Sequence, residues 1–306
     1  MNSTTISETR KETFFDRINF FAKKGNLSRA NFFELDAVLA EIGSQLRNGK
    51  LTANNIDTLR AYFDHKFLKS TMQGRGFLKP NGYAGDYLLL DRIYTRHIAN
   101  ETEYGIWDEY FQQHAAPTAV RNRKAYFKNL VTKKIRQRDD LEVLNVVSGS
   151  ARELCEIYET LSTKKKLRTT CVELDAKAIA YAKKLNSQFL DCISFVHSTI
   201  FKYRTDSKFD FIWSAGLFDY LDDRSFVLLL KKLSINLKKG GELVVGNFNQ
   251  DHNPSRDYMQ ILGDWHLIHR TAEELADLAA QAGFAAKDVH IGSEEQNVNL
   301  FLHVRR

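Results

Sequence analysis

Residues 141–159 read LEVLNVVSGSARELCEIYE, and this stretch decides the fold. Leu141 to Val147 is a run of branched and apolar side chains of strand length. Ser148, Gly149 and Ser150 follow at once, and then Leu154, Ile157, Tyr158 and Leu161 recur at the spacing of an amphipathic helix. A strand turning through small residues straight into a helix opens a parallel sheet. Such a turn also lets backbone N–H groups and the positive end of the helix approach an anion. Ser150 and Glu153 stand at the spacing of a capping box for that helix.

Downstream, short apolar runs alternate with helical stripes. Thr169 to Glu173, Ile193 to Val196, Phe209 to Ser214 and Glu242 to Gly246 are strands; Ala178, Ala182, Leu185 and then Phe226, Leu229, Leu230, Leu233, Leu237 are helix faces. Thr271 and Glu274 form the capping box of a last helix. Asp288 to Gly292 and Val298 to Val304 have no helix between them, so they pair antiparallel. The expectation is an α/β domain over residues 139–306, Rossmann-like, with five parallel strands and a closing antiparallel pair.

Upstream the texture is helical. Phe32, Leu35, Leu39, Ile42 and Leu46 mark a helix over Ser28 to Asn48, and further helical patterns run through Ile56 to Lys69, Asp86 to Ile98 and Pro117 to Ile135. Breaks fall at Gly74, Gly76, Pro80, Gly82 and Gly85, and no strand is read before Leu141. Residues 1–138 are therefore expected to form a helical lid and substrate domain, with the glycine-punctuated segment closing over the cleft.

Composition sets the class. The chain has 306 residues, 43% hydrophobic and 27% charged, which suits two soluble domains and not a disordered chain. Cys155, Cys171 and Cys192 have no ligand spacing, and neither do the nine histidines, so no metal site is expected. The first residues lack the apolar stretch of a secretory signal, and no later segment has the length of a membrane span, which points to the cytoplasm. The net charge of +6 gathers in Arg121 to Arg138 and in Lys164, Lys165, Lys166 and Arg168. No nucleic-acid motif accompanies these runs, so they read as solvated surface and a nucleic-acid partner is not expected.

The second strand, TTCVELD, ends in Glu173, about twenty residues beyond the turn, where an acid accepts bonds from two ribose hydroxyls. Leu174 follows it, and Asp175 caps the next helix. Hydride-transfer enzymes share that acid, so the choice of cofactor rests on the fourth and fifth strands. FDFIWSAGLFDYLDD ends a strand in Ser214, Ala215 and Gly216, small residues against which a ligand can lie. NLKKGGELVVGNF gives a helix end, a Gly240-Gly241 turn and a strand finishing at Asn247, a methyltransferase pattern. The cofactor implied is S-adenosylmethionine. Ser148, Gly149 and Ser150 would meet its methionine carboxylate, Glu173 its ribose and Thr199 its adenine, with Leu174, Ile200, Ser214 and Ala215 also against the cofactor.

These segments resemble a bacterial family of class I methyltransferases, the one associated with biosynthesis of the 3-hydroxypalmitic acid methyl ester signal. The resemblance rests on KPNGYAGDYLLLDRIY (Lys79 to Tyr94), SGSARELCEIYE, WSAGLFDYLDD, GGELVVGNF and DWHLIHRTAEEL (Asp264 to Leu275). It implies a Rossmann-like fold, S-adenosylmethionine as cofactor, and Ser148, Gly149, Glu173, Thr199 and Ser214 near it. One departure stands out: Val147 occupies the place where the family's turn begins with glycine, beside the expected methionyl moiety.

Methyl transfer from a sulfonium is an in-line displacement with a neutral leaving group, so alignment and exclusion of water matter most. A carboxylate acceptor needs no base. The polar groups aimed at the cleft are Tyr83, Asp219, Tyr220 and Asn247 as catalytic candidates and Asp86 and Arg270 as substrate contacts. Tyr83 and Asp86 serve equally well to close a turn and cap a helix, Asp219 or Asp222 to cap, Tyr220 to pack, and Arg270 to pair with an acid. The leading expectation is O-methylation of a carboxylate or hydroxyl on a small molecule or fatty acid. Val147 keeps open a displacement at the methionine side chain that releases methylthioadenosine, by aminocarboxypropyl transfer or by closure to azetidine-2-carboxylate. A third reading keeps the fold without catalysis and uses Arg121 to Arg138 to bind nucleic acid.

Overall fold

The structure is a computed structural model that describes residues 13–23, 25–100, 102–138, 140–161 and 166–306. Lys164, Lys165 and the polar first residues lie outside this set. The helices are α1 (Phe14–Ala22), α2 (Phe32–Arg47), α3 (Ala53–Arg60), α4 (His65–Ser70), α5 (Met72–Leu78), α6 (Tyr87–Tyr94), α7 (Thr102–Gln113) and α8 (Ala115–Gln137), followed by α9 (Arg152–Thr160), α10 (Ala176–Leu185), α11 (Asp223–Ile235), α12 (Arg256–Ile261) and α13 (Ala272–Gln281). The strands are β1 (Leu141–Val146), β2 (Leu167–Glu173), β3 (Ile193–His197), β4 (Phe209–Ser214), β5 (Leu237–Phe248), β6 (Val289–Ser293) and β7 (Asn299–Arg305).

The strands form one sheet in the order β3-β2-β1-β4-β5-β7-β6. β1 to β5 are parallel, and β7 runs antiparallel between β5 and β6. This is the sheet expected from the alternation of strands and helices and from the helix-free closing pair. Successive side chains point to opposite faces. Leu144, Val146, Ile212 and Val245 therefore join Leu229, Leu233, Leu275 and Leu278 of α11 and α13 on one side. Val143, Phe211, Trp213 and Val244 join Phe127 and Val131 of α8 and Leu154 and Ile157 of α9 on the other.

By internal contacts the chain divides into two units, and the division does not fall at the expected boundary after Arg138. One unit comprises the chain up to Leu78 with Ile98–Phe111 and Arg256–Trp265; the other comprises Lys79–His97, Gln112–Ser255 and His266–Arg306. The reason is packing. The buried stripe of α8 runs through Ala119, Arg123, Phe127 and Val131, and the Phe127 ring lies 4.9 Å from that of Trp213 in β4. The Arg152 guanidinium donates to both oxygens of Asp91 at 2.6 and 2.8 Å, which ties α6 to α9, and Tyr181 of α10 donates to the same carboxylate at 2.7 Å. These segments precede the sheet in sequence but belong to it in space.

The helical unit has its own aromatic core, with Phe67 and Trp107 edge to face at 5.1 Å and Tyr110 and Tyr258 at 5.4 Å. The helical pattern over Ile56 to Lys69 is split in two because Asp64 accepts from the Phe67 N–H at 2.7 Å and starts α4 afresh. Gly74 and Gly76 do not break the chain; they lie inside α5, where a Cβ on Gly74 would stand 2.1 Å from the Leu68 carbonyl oxygen. The Gly240-Gly241 pair likewise does not separate helix from strand. β5 runs through it, with a register shift opposite Phe209 and Phe211 that a left-handed Gly240 (φ 75°) accommodates. Among the described residues no helix is long and apolar enough to cross a membrane.

Phe127→Ala is expected to lower stability by about 3–5 kcal/mol, because it removes a fully buried ring between α8 and the sheet. Denaturant titration measures this, and a loss under about 1 kcal/mol would detach α8 from the core of the sheet domain.

Candidate active site

β1 and β4 are neighbours, yet the chain leaves them in opposite directions across the sheet, toward β2 and β3 on one side and β5 on the other. Ligands of open α/β sheets bind outside the carboxyl ends of the strands at such a switch point. A cleft of about 690 Å3, continuous with solvent, lies there and is bounded by Asn145 and Val147 from β1 and its turn and by Trp213, Ala215 and Gly216 from β4.

The turn after β1 is held in an unusual shape. Val147, Gly149 and Ala151 are all left-handed, with φ of 56°, 54° and 49°. Glycine adopts this backbone freely, whereas a β-branched residue there costs about 1–3 kcal/mol. Val147 thus keeps the conformation for which glycine is suited and adds a side chain to the cleft wall, while its N–H donates to the Val172 carbonyl at 2.8 Å.

Glu173 fastens this turn. Its carboxylate, 4% exposed, accepts from the Gly149 N–H at 2.9 Å through Oε2 and from the Leu174 and Asp175 N–H groups at 2.8 and 3.0 Å through Oε1. Nearby, the buried Ser148 and Ser214 hydroxyls have no hydrogen-bond partner among the described residues. Tyr83 and Tyr87 complete this side, and a Cβ on Gly149 would lie 3.9 Å from the Tyr87 side chain. Burial and the carboxylates of Glu173, Asp175 and Asp86 push the Tyr83 hydroxyl well above its ordinary pKa, so it stays a donor. An acid at the end of β2, unsatisfied buried hydroxyls and an open turn fit the cofactor expected from the sequence.

Of the expected site residues, Tyr83, Ser148, Gly149, Ser150, Glu173, Ala215 and Tyr220 line the cleft. Leu174, Thr199 and Ile200 lie just beyond the carboxyl ends of β2 and β3, outside its lining, and so does Ser214 at the end of β4. Asp86 is fully buried and caps α6, accepting from Leu88 and Leu89 N–H at 3.1 and 2.8 Å, with Asn81 on its other oxygen at 2.9 Å. Asn247 and Arg270 also stand behind the cleft. Arg270 donates to Asp223, the Phe218 and Leu221 carbonyls and the Asn247 side chain at 2.6–3.2 Å, so its guanidinium braces the loop after β4. Asp219 belongs to the same brace, accepting from the Phe248 N–H at 2.6 Å. The Ser150–Glu153 capping box does not form. Ala151 is the N-cap of α9, without a side-chain bond, and Asn145 donates to Glu153 at 3.1 Å instead.

The cleft also contains residues that the sequence reading did not place in the site: Arg123, Lys124, Tyr94, Asn145 and Glu153. Their signals were present. Arg123 falls on the apolar stripe of α8 between Ala119 and Phe127, and Asn145 interrupts an apolar strand. The other cations of that helix are mostly engaged within the domain, Lys124 and Lys128 with Glu156 at 2.5 and 2.7 Å, Lys134 with Glu242 at 2.5 Å and Arg138 with Asp210.

Comparison with known proteins agrees with this geometry. Residues 143–241, about a third of the chain, match the family of methyltransferase domains. No functionally curated protein matches the chain in sequence. Among solved structures it is similar to a possible exported protein from Bordetella parapertussis, with 18% identity over 79% of this chain and 85% of that one and a TM-score of 0.66. It is also similar to the S-adenosylmethionine-dependent methyltransferase SibL in its apo form, with 15% identity over 87% and 77% and a TM-score of 0.51. At these identities the likeness is one of fold. Fold, cleft and the family match over residues 143–241 agree with one class, methyltransferase domains, whose cofactor is S-adenosylmethionine.

Burial raises Asp219 from 3.8 to about 7, more than Phe248 N–H, Arg123 and Arg270 lower it. The folded state then keeps a proton that the unfolded chain releases near pH 4, so this group's contribution to stability falls as pH rises from about 4 to 7 and is level above. Asp219→Asn retains an acceptor for the Phe248 N–H and is expected to gain a few kcal/mol relative to the parent across that window. Urea midpoints at pH 4.5 and 7.5 test this, and parallel shifts of the two proteins would refute the raised pKa.

Proposed function

We propose that the chain transfers a methyl group from S-adenosylmethionine to oxygen, on a carboxylate or hydroxyl of a small molecule or fatty acid. The observation that carries this reading is Glu173, placed at the end of β2 and joined to the Gly149 turn, where its carboxylate meets ribose hydroxyls. The sulfonium supplies an activated methyl group and a neutral leaving group. The protein's part is grip and dryness. Ser148, Gly149 and Ser150 border the amino-acid end, Leu174, Thr199 and Ile200 the adenine, and Ser214 and Ala215 the floor. Tyr83 donates and, with Tyr220, covers the reacting centre, while Asp86, Asp219, Asn247 and Arg270 hold the loops that carry them. We place the reaction in the cytoplasm, where this cofactor is made.

A second reading has one observation in its favour. Glu153 lines the same cleft, and burial raises its pKa against the pull of its own N–H, Asn145, Arg123 and Lys124. Such a carboxylate can take the proton of an ammonium group and free an amine to attack the methionine side chain, with methylthioadenosine leaving. Incubation with S-adenosylmethionine and a panel of hydroxy acids and fatty acids, followed by chromatography of the nucleoside product, separates the two. S-adenosylhomocysteine is the expected product; methylthioadenosine alone would replace methyl transfer by the second reading. Glu173→Ala should weaken S-adenosylhomocysteine binding by at least about tenfold, the scale of a lost charged hydrogen bond, and unchanged affinity would remove the ribose grip.

A further inference from the structure

Arginine pairs with a carboxylate at two inward-facing places in this domain, and at a third it does not. Arg152 grips Asp91, and Arg270 grips Asp223 and three further oxygen atoms. Arg123 is only 6% exposed, yet among the described residues it meets no carboxylate within ion-pair distance. One terminal nitrogen donates to the Ala215 carbonyl at 2.9 Å, and the Tyr94 hydroxyl is beside the group. Its Nε–H is buried without a partner. A guanidinium so placed is costly unless an anion joins it.

Across the same cleft Glu153 is 8% exposed, and its side-chain partner is the neutral Asn145 amide. No cation lies within ion-pair distance of it among the described residues. Its carboxylate occupies the first turn of α9, the place where an anionic ligand was expected. A ligand carboxylate at that helix end would meet a like charge. The cleft therefore presents an acid on the β1 and α9 side and an arginine from α8 beside Ala215 and Gly216, each without an opposite charge within ion-pair distance. An α-amino acid zwitterion carries the complement of both.

We infer that Arg123 and Glu153 form a clamp for the amino-acid end of the cofactor, Arg123 holding its carboxylate and Glu153, with Asn145, its ammonium. This rests on the cofactor proposed above, and it moves the carboxylate from the Ser148 to Ser150 turn to α8.

Calorimetry with two nucleosides tests the clamp without an acceptor. S-adenosylhomocysteine carries the zwitterion, and methylthioadenosine has a methyl group in its place. The parent protein should prefer S-adenosylhomocysteine. Arg123→Gln should weaken S-adenosylhomocysteine by about 10- to 100-fold, the range for a hydrogen bond to a charged group, and leave methylthioadenosine within about twofold. Retained methylthioadenosine binding also shows that the variant is folded. If Arg123→Gln leaves S-adenosylhomocysteine affinity unchanged, the clamp is wrong. If that variant loses both ligands, Glu153→Gln decides: a selective loss of S-adenosylhomocysteine supports the clamp, and equal effects on both overturn it. A parent protein that binds both ligands equally also overturns the clamp while the cofactor reading stands; one that binds neither overturns that reading itself.

Discussion

The carboxylate of Glu173 is the tie on which the site depends. One oxygen accepts the N–H of Gly149 in the turn after β1, and the other accepts two N–H groups in the turn after β2. Both loops are thus fixed by a single charge at the carboxyl edge of the sheet. Hydrogen bonds to a charged group contribute roughly 1.5–3 kcal/mol each, enough to offset the left-handed backbone that Val147 and Ala151 impose. The parallel register that sets Glu173 opposite His197 and Val146 opposite Val172 brings these loops side by side before any ligand arrives.

Around this tie the sheet domain settles its other buried charges internally. Burial favours the neutral form of Glu242, but hydrogen bonds from His303 and Lys134 prevail and push its pKa down to about 2. Asp210 follows the same pattern: Lys238, the Glu142 N–H and Arg138 hold it below the usual carboxylate range despite burial. Arg270 fills its donors with the loop after β4. Arg123 and Glu153 differ from these acids, since each faces the cleft with a neutral hydrogen-bond partner and no opposite charge within ion-pair distance. A buried charge without a counter-ion is where a protein's own accounts fail to close, and both examples line one cavity.

Much of the fold was legible because it is written locally. Strand and helix periodicity gave the order of β1 to β7, and the caps Asp86, Asp175 and Thr271 act within three residues of themselves. Glu173 was legible because its place follows from strand end and turn spacing. What stayed hidden depends on distance. Arg123 sits in a run of cations that looks like solvent-facing surface until one sees that its position on the helix turns it inward. Asn247 and Arg270 looked like cleft residues because they stand near strand ends, but their mutual hydrogen bond and partners as far as 52 residues away in sequence draw them behind the wall. Gly74 and Gly76 looked like breakers, and tight packing on the Leu68 backbone explains them instead.

The long helix α8 has a further consequence. Arg123, Phe127, Val131 and Lys134 follow one another along it, meeting in turn the cleft, two layers of the core and Glu242, and Arg138 just past its end meets Asp210. The helix thus acts as a cam that keys the mouth of the cleft to the opposite rim of the sheet. Each residue advances the helix by about 100° and about 1.5 Å, so inserting or deleting one between Phe127 and Lys134 would put the two ends out of phase. Evolution can vary the residues along this helix far more easily than it can vary their number.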